Sequence, residues 1–584
     1  MASVWGELKR RNVVKVAVAY AIVRWLFMCV AALSVVTGCT PGSGGTSSSS
    51  PEAAAGGGAP GPTISRAEGA RFLTRATFGP TDPDIDALVT LGYETWLDDQ
   101  FSTPPTLQLP ELDSVLAADD LLTNVNQQVN ARRLRRMDVW WNTVVYGRDQ
   151  LRQRVAFALS QIFVISDVES ALRNSVQGIA NYNDLLAEHA FSNYRELLEA
   201  VTLNPMMGDF LSMRRNEKAD PARNIRPDEN YAREVMQLFS IGLWELNLDG
   251  TRKLDANGQP IPTFSYYEIL SFARVYTGWN YGNAPRLQFD RKTPQSEVIP
   301  MRSFENFHDR ELKILLGGTV VPAGLDAPDD IDAALDNIFN HPNVAPFISR
   351  QLIQHLVTSN PSPTYVERVA GIFEDNGTGV RGDLRAVIKA ILLDPAVIEA
   401  SSIDGFTFGK LKDPILRVTQ LWRAFDARGA LGVLRYGNSD QDMGQRTLGA
   451  PSVFNFFRPD YKHPGEIQDM GLDSPAFQIL TETLITSTTN RMGDFVFSRA
   501  ARTGANSVRH QILFDLGDEI RLAPEPPMLV DHLNTLLMGG TMSAQMEQTL
   551  VDHVASTSLN DDGTQRVQEA IFLIVTSPEF AVQR

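Results

Sequence analysis

Residues 151–164 read LRQRVAFALSQIFV, and this stretch decides the fold class. Its apolar residues Leu151, Val155, Ala158, Leu159 and Ile162 fall at i, i+4, i+7, i+8 and i+11, one face of a 3.6-residue period. The same period recurs outward in both directions, in residues 184–201, 229–243, 343–357, 365–373, 383–393, 477–485 and 564–575. Ser, Thr and Asp stand near the starts of these stretches and Gly or Pro near their ends, as at Pro363-Thr364 and Asp394-Pro395. Strand signals are thin. Residues 246–264 (LNLDGTRKLDANGQPIPTF) carry Asp-Gly and Asn-Gly, which mark a hairpin, and residues 317–322 read as a short extended piece. The sequence therefore predicts a mainly α, large multi-helix globular protein with one or two short β-hairpins.

Length and composition set the scale. At roughly 100–200 residues per domain, this chain needs about two to four packed units. With 43% hydrophobic residues it has the material for a core. A net charge of −16 argues against nucleic acid as a partner, because neutralising phosphates takes clustered Lys and Arg. Two cysteines, Cys29 and Cys39, cannot build a disulfide framework or a Cys-rich metal site.

Residues 1–38 read as an export signal. Lys9, Arg10, Arg11, Lys15 and Arg24 make a basic leading region, and an apolar stretch follows at 25–36. It runs into Val36-Thr37-Gly38-Cys39, which resembles a bacterial lipobox and makes Cys39 the lipidation residue. Residues 13–23 are apolar too, so an uncleaved membrane anchor is the competing reading. Residues 39–62 are mostly Gly, Ser, Pro and Ala, a tether of the kind that follows a lipid anchor. Thr40 after the lipid cysteine favours the outer membrane, by resemblance to the sorting rule. Cleavage before Cys39 leaves no free thiol. The remainder divides softly near 400–408 into a main helical domain (63–400) and a C-terminal helical lobe (401–584) packed on it. The long loop of that lobe, 438–471, is rich in aromatics.

The familiar catalytic signatures are missing from the mature chain. It has no Gly-x-Ser-x-Gly elbow, no His-Glu-x-x-His zinc helix and no Gly-x-Gly-x-x-Gly after a strand. Residues 405–410 (GFTFGK) fall one residue short of a phosphate-binding loop. Residues 255–258 (DANG) start like a calcium loop but lack the downstream Glu, and a type I′ turn accounts for them better.

Residues 227–243 (PDENYAREVMQLFSIGL) resemble the large bacterial family catalogued as domain of unknown function 1800. Supporting segments are 71–79 (RFLTRATFG), 149–166 (DQLRQRVAFALSQIFVIS), 189–198 (HAFSNYRELL) and 276–279 (YTGW). Others are 308–317 (HDRELKILLG), 341–360, 450–461 (APSVFNFFRPDY) and 571–584 (IFLIVTSPEFAVQR). The resemblance covers about 64–584 and brings no established activity. It implies a joint role at the envelope with a second exported family, similar to alkaline-phosphatase-like hydrolases, whose genes often lie beside those of its members.

The residues themselves carry two readings. Pro227 pre-sets φ for a helix start, and Asp228 and Glu229 sit where the positive end of the helix dipole favours anions. Glu229, Arg233 and Gln237 form a polar stripe. Glu234 lies about 140° around from Glu229, at the border of an apolar face made by Tyr231, Val235, Leu238, Phe239 and Gly242. One reading pairs Glu229 with Arg233, and Glu234 with an arginine around 152–154. The other gathers Glu229 and Glu234 with His189, His308 and Asp309 in a hydrophilic pocket. Glu229, Glu234, His308 and Asp309 are then the acid/base groups, and His189, Glu229, Glu234 and His308 the ligands of a divalent metal. His308-Asp309 precedes an apolar run, as at an exposed loop-to-helix junction.

Two further features are open in the same way. Arg132, Arg133, Arg135 and Arg136 beside Trp140 and Trp141 read as a basic helix face over a buried Trp pair, or as a binder of an acidic polymer or lipid headgroups. Residues 454–461 (FNFFRPDY) read as a plug between helical lobes, or as a sugar-stacking platform.

Two functions follow. The first is a lipid-anchored cell-envelope protein that acts as a carboxylate- or metal-assisted hydrolase on an extracellular polymer or envelope component. The second is a non-catalytic scaffold or binding module assisting a secreted partner hydrolase. Convergence of Glu229, Glu234, His189 and His308 on one cleft favours the first, and separate partners for each favour the second.

Overall fold

The computed structural model describes residues 64–118, 125–285, 288–289, 291–399, 407–430, 432–498, 511–557 and 562–584, the side chains of 125–130 excepted. The export signal, Cys39 and the tether lie outside these residues, as does most of the soft boundary at 400–408.

Local chemistry starts and stops the helices. Ser65 opens Arg66–Ala76 with a reciprocal capping box through Glu68. Thr81, Asp326, Ser362 and Asp383 cap their helices more simply, each side-chain oxygen accepting one backbone N–H. The expected periods become the helices Gln150–Ile162, Val344–Leu356, Pro363–Glu374, Leu384–Leu392 and Thr564–Val575. Three others differ from expectation. The 184–201 period breaks into Val176–Glu188 and Tyr194–Thr202, because Asn193 is extended and starts a new helix with a capping box through Glu196. The 229–243 period yields only Asn230–Gln237. The 477–485 period splits at Thr481, which caps Glu482–Val496 after a 3-10 turn at Pro475–Ile479.

Strands among the described residues form four antiparallel pairs of two residues each. Lys313–Ile314 pairs with Val320–Val321, where the short extended piece was expected. Residues 244–262 fold back through isolated bridges, Trp244 to Pro262, Leu246 to Arg252 and Leu254 to Pro260. The turn at 255–258 is not type I′, which needs positive φ at both central residues. Only Gly258 in it has positive φ, at 76°, and Asp255 Oδ1 accepts the N–H groups of Asn257 and Gln259 at 2.8 Å. The aspartate side chain organises this turn.

One hydrophobic cluster runs from Ala70 to Phe580, so the first and last helices share a core. Arg66–Ala76 packs on Pro526–Met538 across that core. Gln150–Ile162 lies deepest, with all 13 residues buried. A helix buried all round must find partners for its polar residues. Arg152 donates to the carbonyls of Ala187 (3.1 Å) and Phe101 (3.3 Å), both in last helical turns that lack intrahelical partners.

Trp140 and Trp141 are buried and meet edge-to-face at 4.9 Å. Of the flanking arginines, Arg136 and Arg133 turn to Asp167, which Arg446 also reaches, and Arg135 turns to Asp138. Phe457 packs with Leu411 and Ala476, while Phe454 stays exposed. No helix among the described residues is long and apolar enough to cross a membrane.

Candidate functional site

Glu229 stands at the N-cap of Asn230–Gln237. Its carboxylate accepts from Arg233 Nη2 at 3.1 Å and from the Tyr266 hydroxyl at 2.9 Å. This is the i,i+4 ion pair that the spacing predicts, half-exposed and contributing about 0.3–0.5 kcal/mol.

His308 is fully buried, where an exposed junction was expected. Its Nδ1 lies 2.9 Å from the Thr277 carbonyl and its Nε2 2.9 Å from Asp330 Oδ2. Both ring nitrogens are thus engaged within the fold. Gly278 makes the approach feasible: its φ is +83°, and a Cβ there would stand 2.9 Å from the His308 amide nitrogen. The segments 276–279 and 308–317 are two sides of one packing contact. Lys313 closes it, with Nζ 2.5 Å from Asp330 Oδ2 and donating to the Asp309 carbonyl at 2.6 Å. The element after Asp309 is the short strand Lys313–Ile314 and not a helix, because Lys313 turns inward to the buried acid.

Arg274 grips the Asp309 carboxylate with two hydrogen bonds, at 2.8 and 2.9 Å. Burial opposes the Asp309 charge. The Arg274 hydrogen bonds, the Glu311 amide and the charges of Arg274 and Lys313 outweigh it and hold the carboxyl below the usual range. His189 ends the Val176–Glu188 helix with Nδ1 3.1 Å from Ser192 Oγ. Burial pushes its imidazole down, partly offset by Glu188 and Glu196. The ligand atoms of His189, Glu229, Glu234 and His308 do not gather within 4.8 Å of one another, so the structure does not bring the expected metal set together.

Glu234 differs from the rest. It is buried, its side chain has no hydrogen bond or ion pair among the described residues, and Oε2 is fully enclosed without a partner. Arg152 and Arg154, its expected partners, turn to backbone carbonyls. Burial raises the Glu234 carboxyl, with the Arg233 charge partly offsetting.

A second imbalance of buried charge lies where Gln150–Ile162 and Val344–Leu356 approach the start of Pro414–Ala424. Asp413 occupies the N-cap of Pro414–Ala424 but makes no side-chain cap. Its carboxylate points into the core, where Oδ2 accepts from Gln161 Nε2 (3.0 Å) and Gln445 Nε2 (3.1 Å). Lys410 Nζ lies 3.3 Å from Oδ1. Asn455 donates to Gln161 Oε1 at 3.2 Å, so the aromatic loop reaches the acid through one relay. Burial opposes the Asp413 charge, but Lys410, the Gln445 hydrogen bond, His355 and Arg154 outweigh it and hold the carboxyl low.

The cations around this acid are under-partnered. Arg154 is completely buried. Its Nη2 donates to the His355 carbonyl at 2.7 Å, while Nε and Nη1 have no acceptor. Arg417 is 9% exposed, makes no side-chain hydrogen bond among the described residues, and buries its Nε without an acceptor. Burial pushes both guanidiniums down to about 10, opposed by the charge of Asp413. Burial also drives the His355 imidazole down to about 3, with Lys410 and Arg154 adding to the effect and Asp413 opposing it. One carboxylate therefore faces Arg154, Lys410 and Arg417. An uncompensated buried charge costs on the order of several kcal/mol, and such sites are where binding groups concentrate.

Arg154, His355, Lys410, Asp413 and Arg417 lie outside the paired-acid pattern of the sequence. A signal was present: Arg154 flanks the apolar face of 151–164, and Lys410, Lys412, Asp413 and Arg417 crowd an apolar run (KLKDPILRVTQLW, 410–422). The segments 149–166, 341–360 and 450–461 all contribute to this seam.

A helical fold whose described strands are only two-residue pairs, enclosing a charged seam, defines a mainly α globular protein with a polar interior. The model of the family described as Protein of unknown function (DUF1800) matches residues 71–582, nearly the whole chain, and the chain belongs to that family. No match occurs among curated proteins or among solved structures.

Proposed function

We propose that this chain is a lipid-anchored, non-catalytic binding module of the cell envelope, and that the seam around Asp413 receives an anionic group presented by an envelope polymer. The observation that carries the reading is the pair of buried guanidiniums, Arg154 and Arg417, with N–H groups that lack acceptors. A buried donor left unmade costs about 1–3 kcal/mol, more when charged, and an anion that accepts from Arg154 or Arg417 recovers that cost. Carboxylate, phosphate and sulfate all match a guanidinium fork. The separate partners of Glu229, His308, Asp309 and His189 support binding over catalysis. Anchoring through Cys39 at the outer membrane rests on the lipobox-like Val36-Thr37-Gly38-Cys39. Work beside a co-exported phosphatase-like hydrolase rests on the family resemblance.

The test is a titration of the purified chain with inorganic phosphate and sulfate at low salt. Saturable binding and a raised Tm are expected, with both lost in Arg417→Gln while the helical circular dichroism is kept. Anion binding that persists undiminished in Arg417→Gln sinks the reading.

A second reading has one observation behind it. The enclosed, partnerless Oε2 of Glu234 and its raised carboxyl fit a general acid, and so a carboxylate-assisted hydrolase. Hydrolysis of phosphate, acyl or glycosidic model substrates that disappears in Glu234→Gln, with the fold intact, favours it over pure binding.

A further inference from the structure

We infer that Asp82, Glu519 and His532 form a divalent-cation site, suited above all to zinc, that ties a helix near the start of the described fold to two nearer its end. The inference is independent of the anion seam. His532 Nε2 lies 2.9 Å from Glu519 Oε1 and 3.7 Å from Asp82 Oδ2. One ligand atom from each residue falls within 4.8 Å of the other two, and among the described residues no other trio of His, Cys, Asp or Glu does so. Donors about 2.0–2.2 Å from a tetrahedral zinc stand about 3.3 Å apart, a value that the two measured separations bracket. One imidazole nitrogen and two carboxylate oxygens, with a fourth place for water, is a donor set that zinc accepts.

The surroundings fit an ion that enters from solvent. Glu519 is buried, while the Asp82 and His532 side chains keep 30% and 19% of their surface exposed. Arg66 pairs with Asp82 Oδ1 and with Asp86, which leaves Asp82 Oδ2 to the ion and fixes the carboxylate from behind. With His532 neutral, the one ion pair that Asp82 and Glu519 keep among the described residues is with Arg66, which Asp86 shares, and a divalent ion restores the balance. The competing arrangement is a proton on Nε2 shared with the two carboxylates. The donors come from Asp82–Leu91, Gly517–Leu522 and Pro526–Met538, so the ion closes a loop that spans most of the described chain.

The experiment uses the untagged chain, stripped with chelator, then loaded with zinc or with cobalt(II). One zinc per chain by elemental mass spectrometry is expected, with the intense visible bands of tetrahedral cobalt. His532→Ala and Asp82→Asn lose the stoichiometric ion. His553→Ala keeps it, since that variant removes an exposed histidine paired only with Glu569 at 3.1 Å. No stoichiometric zinc in the wild-type chain overturns the inference, and so does the weak spectrum of octahedral cobalt. Either result is read on the unmodified protein and stands even if the His532 variant fails to fold. Zinc retained by His532→Ala, or lost equally by His553→Ala, overturns it as well.

Discussion

The segment around Asn230–Gln237 and the seam around Asp413 bury charge in the same protein on opposite terms. Near the first, acids meet bases in pairs, the buried Glu234 excepted: Glu229 with Arg233, Asp309 with Arg274, and Asp330 with His308 and Lys313. Around Asp413, one acid faces Arg154, Lys410 and Arg417, and guanidinium N–H groups are left over. Matched pairs fix how helices and loops pack and have little capacity left for a ligand. A surplus of one sign, kept where it is costly, is the better pointer to binding. The most recognisable stretch of sequence and the seam of surplus charge around Asp413 are therefore different places.

The largest effect expected from this contrast comes from Asp413→Asn. It strips Arg154, Lys410 and Arg417 of their shared counter-charge, and urea unfolding is expected to register a loss of about 3–5 kcal/mol. A loss below about 1 kcal/mol, the size of a surface pair, breaks the contrast.

A second effect is a pH dependence seated in the same seam. The His355 imidazole is held near 3 in the folded chain against an ordinary value of 6.5, so folding prefers the neutral ring. Its stabilising contribution is complete above pH 6.5 and is lost as pH falls toward 3, with a slope approaching about 1.4 kcal/mol per pH unit. Urea midpoints measured across that window should fall more steeply for wild type than for His355→Gln, and equal slopes contradict the assignment.

Smaller effects are expected around Asn230–Gln237. Glu234 has a raised carboxyl, so folding prefers its proton and a cost appears as pH rises through the ordinary carboxylate range. Glu234→Gln removes that cost. Its Tm is expected to match or slightly exceed wild type at neutral pH, with the gain vanishing in acid, and a clear drop at neutral pH reveals a partner for the carboxylate. Glu229→Gln comes last, at no more than about 0.5 kcal/mol by the same denaturation, because it touches only a half-exposed pair.

What could be read in advance follows how far apart the interacting residues lie in the chain. The helical class came from apolar spacing within 151–164, and the Glu229–Arg233 pair from a separation of four residues on one helix. The break of 184–201 at Asn193 was readable in principle, since Asn193 and Glu196 spell a capping box. His308, by contrast, looked exposed because its partners Thr277 and Asp330 lie 31 and 22 residues away. Arg154 meets the His355 carbonyl across 201 residues, and Asp413 meets Gln161 across 252.

By itself, then, the sequence determined helix class, caps, turn positions and the near-neighbour ion pair, because backbone propensity and i,i+4 geometry act over a few residues. Only the tertiary structure decided which charges are matched and which are left in surplus. Burial and counter-charge are properties of the space where distant segments meet, and no local pattern along the chain encodes them.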